Sequence, residues 1–106
     1  MILKWEPYIS TPYQIGFKMI QGKWPKSLSE ETFYATMVKA LLAIPGTIWT
    51  GELAPPTIDG YLALYKEHEI WLDGDPFYGS HIIAQDTKIA LEIKEALGNI
   101  IITMDD

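Results

Sequence analysis

Two stretches of helical periodicity, each closed by its own stop signal, constrain this chain more than any other feature. In residues 29–44, Phe33, Met37, Ala40, Leu41 and Ile44 recur at three- and four-residue steps, which draws one apolar stripe down an α-helix. Ser27 or Ser29 can cap its start, and Ser27 with Glu30 has the capping-box spacing. Glu30 and Glu31 suit the positive end of the helix dipole, and Pro45-Gly46 ends the run. In residues 87–97 the stripe is Ile89, Ile93 and Leu97, with Ala90 and Ala96 beside it. Asp86 stands where a cap belongs and Gly98 where a C′ glycine belongs.

The rest of the chain alternates as strands do. Residues 2–9 set Ile2, Lys4 and Glu6 on one side, with Leu3 and Trp5 between them, and Pro7 limits the strand to an edge or ends it. Tyr13, Ile15, Phe17 and Met19 share a face in residues 13–20, where Gly16 marks a bulge or a close approach. Residues 47–53 form a short strand. Residues 58–72 carry both helical and alternating signals. Aromatic and β-branched residues bracketing Glu67-His68-Glu69 favour two strands, 60–66 and 69–73. Asp73-Gly74-Asp75-Pro76 is dense turn chemistry opening a loop that runs to Ser80. Residues 81–85 and 100–104 complete the set, the last as a buried strand. The class predicted is α+β: a mixed, mostly antiparallel sheet with two helices at about 29–44 and 87–97. Residues 1–106 form a single globular domain, because neither side of Pro55-Pro56 could bury a core alone.

Composition narrows the function. There is no cysteine, which removes thiolate catalysis and cysteine-based zinc sites and favours a reducing compartment. Met1-Ile2-Leu3 runs straight into Lys4 and Glu6, so a cytoplasmic location without a secretory leader is expected, and no apolar run is long enough to span a membrane. The formal net charge is −6 and all 8 cations are lysine. Without the arginine fork, a net negative chain is a poor nucleic-acid binder and suits a basic protein partner better.

The polar constellations do not assemble a catalytic signature. Glu67-His68-Glu69 reads as a charged hairpin turn; on a strand, Glu67 and Glu69 would share a face that His68 opposes, too few convergent ligands for zinc. Asp73-Gly74-Asp75 resembles the start of a calcium loop, but the later ligand positions fail. Gly79-Ser80-His81 lacks the Gly-x-Ser-x-Gly pattern, and Gly22-Lys23 is no phosphate loop. No cofactor or metal is therefore expected. Among the aromatic residues, Trp24 in Gly22-Lys23-Trp24-Pro25-Lys26 and Phe77-Tyr78 in the turn-rich loop stand in polar contexts, where tryptophan and tyrosine act as interface anchors.

The segment from Ile70 to His81, with Gly74-Asp75-Pro76-Phe77-Tyr78-Gly79-Ser80-His81 at its heart, resembles a Gly-Asp-Pro-Phe-aromatic-Gly-x-His segment of small bacterial proteins. Some of these are grouped with immunity proteins of polymorphic or contact-dependent toxins. The resemblance implies a cytosolic inhibitor that binds one cognate toxin, a nuclease among the candidates, and it implies no catalytic residue. The expected partner-binding residues are Trp24, Glu52, Asp59, Glu67, Glu69, Asp73, Asp75, Phe77 and Tyr78. The alternatives are a small hydrolase or metal-dependent enzyme using His81 with Asp73 or Asp75, and a subunit that lends residues 100–104 as a sheet edge.

Overall fold

The computed structural model describes residues 1–11, 13–53, 61–75 and 79–105. In chain order the elements are β1 (Ile2–Thr11), β2 (Gln14–Gln21), α1 (Glu30–Leu42), β3 (Thr47–Leu53), β4 (Tyr61–Tyr65), β5 (His68–Asp75), β6 (Gly79–Ile83), α2 (Thr87–Leu97) and β7 (Ile100–Thr103). The strands form one antiparallel sheet in the order β3-β4-β5-β6-β2-β1-β7. The fold is α+β, as the alternation of periodicities predicts.

Register decides which face is buried. Ala63 opposes Ile70, Leu72 opposes Ile82, and Ile15 opposes Ile82 on the other side of β6. These side chains share one face of the sheet and join Met37 and Leu41 of α1 and Ile89, Ala90 and Ile93 of α2 in one core. Both helices therefore cover the same face. Burying each such aliphatic side chain contributes about 1.5–3 kcal/mol. A second cluster, Leu3, Trp5, Leu28, Phe33 and Ile100, closes the end where β1 and β7 meet the first turns of α1.

Local chemistry fixes the element ends. Ser29, rather than Ser27, caps α1, and its hydroxyl accepts from the Thr32 amide. Asp86 caps α2 by accepting from the Ile89 amide, and Gly98 follows it at φ 66°. Pro7 does not end β1. Strand β7 reaches only as far as Trp5, so Pro7 lies where β1 has β2 alone beside it, an arrangement proline tolerates. The close approach expected at Gly16 is real: a Cβ there would stand 2.9 Å from the Tyr8 ring across β1.

Two further expectations need correction. Asp73, Gly74 and Asp75 extend β5 instead of turning, and Gly79 and Ser80 already belong to β6. Tyr34 explains this: its ring packs so closely on Gly74 that a Cβ would lie 3.0 Å away, and its hydroxyl donates to the Leu72 carbonyl at 2.9 Å. Tertiary packing overrides turn propensity there. Strand β7 is an edge strand with Ile100 buried and Ile101 exposed, not a fully buried one. Glu67 lies in the β4–β5 turn, as the charged-turn reading expects, and Lys66 and Glu67 both take positive φ (48° and 71°).

Two positive φ values in a two-residue hairpin loop define a type I′ turn, whose second position favours glycine. Glutamate there holds a conformation that costs L-residues about 1 kcal/mol. Glu67→Gly is expected to stabilise the protein by about 1 kcal/mol, read as a higher urea midpoint. A lowered midpoint would contradict the turn geometry.

Candidate functional site

Strands β2 and β6 pair only at Gln14–Ile83 and Ile15–Ile82. Beyond that point β2 continues with β1, β6 continues with β5, and a cleft of about 510 Å³ opens between the two halves of the sheet. Aromatic residues, Trp24 the most exposed tryptophan among them, and the polar residues Ser10, Gln14, Glu30, Asp73, Ser80 and His81 line it.

Each of these side chains has a structural reason for its place. Trp24 follows β2 in the connection to α1, and its indole N–H donates to the Leu28 carbonyl at 2.8 Å. Its ring meets Trp5 edge-on with centroids 5.4 Å apart and tilts against Phe33 at 5.6 Å, while 39% of the residue stays exposed. It is thus neither a core residue nor a loose anchor. It is a half-exposed lid held on the second core cluster. Asp73 and His81 are directly opposed across β5 and β6, and the Asp73 carboxylate lies 3.3 Å from His81 Nε2. Both side chains are largely buried, so this pair is fixed in position. Glu30 opens α1, where a carboxylate suits the helix dipole, but partial burial raises its pKa above the ordinary glutamate value. That penalty is absent in acid, sets in as pH rises through the ordinary glutamate range, where the unfolded chain gives up its proton while the folded chain still holds it, and is complete above the raised pKa.

Ser80 is the unusual member. It is buried, at 7% exposure, and its Oγ has no hydrogen-bond partner among the described residues, a state shared with Thr47 Oγ1. Leaving a hydroxyl so placed costs about 1–3 kcal/mol. Neighbouring residues on a strand face opposite ways, so Ser80 turns to the helix side while His81 turns to the other, and no hydrogen bond joins them. The His81 ring reaches Asp73 through Nε2, and Nδ1 lies 3.4 Å from the Gly79 carbonyl. A nucleophile–base pair is not assembled by this geometry.

The residues expected to bind a partner fall into separate places. Asp73 and Trp24 line the cleft. Glu52, near the end of β3, and Asp75, at the end of β5, belong to the same end of the sheet by strand register, and their side chains lie outside the description. Asp59, Phe77 and Tyr78 lie outside the described residues. Glu67 and Glu69 sit at the opposite end of β5, away from the cleft. Glu30 is the member that sequence reasoning misses, and Ser80 enters it only within Gly79-Ser80-His81, not as a buried group. Ser80 could have been found from its position: it is the polar residue at an inward-facing site of an alternating strand.

Among the described residues, no group of three or more His, Asp or Glu is placed to hold a metal ion, and no helix is long and apolar enough to cross a membrane. Comparison with protein-family models, with curated proteins and with solved structures finds no match.

Proposed function

We propose that this chain is an immunity-type inhibitor: an acidic binding protein that seats a cognate, basic bacterial toxin domain, with nucleases the natural class, against the open end of its sheet in the cytoplasm. One observation carries the reading. Glu30 of α1 and Asp73 of β5 both line a cleft that the half-exposed Trp24 borders. A half-exposed aromatic anchor, Trp24, beside fixed charge is what a protein-binding centre needs. The net charge of −6 and the absence of arginine add a field that speeds encounter with a basic surface. Nucleases carry such surfaces because they must hold phosphates. The resemblance of Ile70–His81 to immunity proteins points the same way, and that segment contributes Asp73, Ser80 and His81 to the cleft.

The test is copurification with the protein encoded immediately upstream. A stable complex at low salt that weakens steeply at high salt is expected. No complex at any salt concentration would refute the reading.

A further inference from the structure

We propose that the free edge of β7 pairs with the same edge of a second copy, so that two chains form one continuous sheet across a two-fold axis; the inference stands apart from the binding function proposed above. The ladder between β1 and β7 fixes what that edge presents. The Met104 amide donates to the Met1 carbonyl at 2.8 Å, and the Met1 nitrogen donates back to the Met104 carbonyl at 2.9 Å. In an antiparallel ladder such doubly bonded pairs alternate with pairs that exchange no bond. Leu3–Ile102 and Trp5–Ile100 are therefore bonded pairs, and Ile101 and Thr103 turn their N–H and C=O groups away from β1. No described strand lies on that side. Ile101 and Thr103 thus offer free donors and acceptors along an edge whose complement is another extended backbone.

Further observations choose a second copy as the occupant. Strand β3, at the other end of the sheet, shifts register against β4 between Trp49 and Leu53, a stretch that includes Gly51 and Glu52. Bulges and edge charges of that kind deter pairing. Strand β7 keeps one register with β1 throughout and has no proline, no charge and no bulge. A basic partner gains nothing at this edge, because residues 96–104 carry no charge. Two chains of net charge −6 repel, and a neutral stretch is where they can meet closely. The strand is also self-complementary. An axis through Ile102 bonds Ile101 of each copy to Thr103 of the other, and sets Ile102 against Ile102 as the closer, unbonded pair. Cross-strand pairs of β-branched residues favour a sheet. The exposed Ile101 and the half-buried Ile102 are then covered on opposite faces. A contact this small belongs to the weak end of specific interfaces.

The test is sedimentation equilibrium of the full chain at concentrations from about 10 μM to about 1 mM, the span over which a contact of this size associates. The mass is expected to climb from that of one chain toward that of two and no further. Raising the salt should tighten the dimer by screening like net charges, the reverse of the salt response expected for a basic toxin. Hydrogen exchange supplies the local reading. The Ile100 and Ile102 amides are protected at every concentration, and the Ile101 and Thr103 amides only when the chain is concentrated. Thr103→Pro removes an outward N–H and no bond to β1, and is expected to weaken the dimer at least about tenfold. Ile101→Lys, at a position 54% exposed, is expected to do the same although it lowers the net negative charge, and it reports even if Thr103→Pro unfolds. Ile48→Lys makes the same change on the β3 edge and leaves the dimer no weaker. A single-chain mass at every concentration, growth beyond two copies, a dimer undiminished by both Thr103→Pro and Ile101→Lys, or one weakened as much by Ile48→Lys would overturn the proposal. Copurification with a toxin is decided separately, because no residue of β7 lines the cleft.

Discussion

Trp5→Ala is expected to cost about 4 kcal/mol of folding stability, a large share of the roughly 5–15 kcal/mol that holds a domain of this size. Trp5 is 2% exposed and joins three parts of the chain: β1, the Trp24 connection and α1. Its ring lies 4.8 Å from Phe33 and meets Trp24 edge-on. Truncation removes the transfer free energy of the indole, leaves a cavity among Leu3, Phe33 and Ile100, and strips Trp24 of the surface it rests on. Far-UV circular dichroism during urea unfolding reads the effect without depending on the lost fluorophore. Ile48→Ala on the edge strand β3, where the side chain is 62% exposed, serves as the reference and is expected to change stability by no more than about 0.5 kcal/mol. A Trp5→Ala midpoint as small in shift as that of Ile48→Ala would show that the second cluster does not hold this end together. The same cluster walls the cleft, so the variant is also expected to lose partner binding in proportion to its unfolding.

The second large effect is on binding with the fold intact. Glu30→Lys is expected to weaken the complex at least about 100-fold, since a like charge placed against a basic partner costs several kcal/mol and each 1.4 kcal/mol is a factor of ten. Glu30 is solvent-exposed in the first turn of α1, so its replacement removes no core contact. A cation at the helix N-terminus costs up to about 1 kcal/mol in stability, which leaves the folded state populated. Glu95→Lys carries the same change of charge on α2, beyond the residues that line the cleft, and is expected to alter affinity less than about threefold. Titration of the two variants at two salt concentrations separates them: the difference should shrink as salt rises. Equal loss in both would mean that net charge, not the cleft, governs recognition.

What could be read from the residues was whatever local physics decides. Ser29 and Asp86 start their helices by accepting backbone amides on their side chains, Gly98 ends α2 through its own N–H, and the stripes of α1 and α2 bury Phe33, Met37, Leu41, Ile89 and Ile93 as periodicity requires. The hairpin across Lys66-Glu67 follows from bracketing aromatic and β-branched residues, even though neither turn residue favours positive φ. What could not be read depends on distant partners. Asp73-Gly74-Asp75 has turn composition, and only Tyr34, far away in sequence, makes it strand. Pro7 reads as a stop unless β7 is known to fall short of it. The cleft itself arises where β2 and β6 cease to pair, so Glu30, Ser80 and Trp24 meet only through the topology. Of the site, Asp73, His81 and Trp24 were distinguishable in advance by chemistry and context; their convergence was not.

The central claim, that the aromatic, carboxylate-bearing cleft neutralises a basic toxin, is tested most directly by growth. Cells expressing the toxic domain encoded immediately upstream are supplied with the wild-type chain, Glu30→Lys or Glu95→Lys at equal soluble levels. Restored growth with the wild type and Glu95→Lys, and death with Glu30→Lys, is the predicted result. Failure of the wild type to restore growth, or full rescue by Glu30→Lys, would contradict the claim.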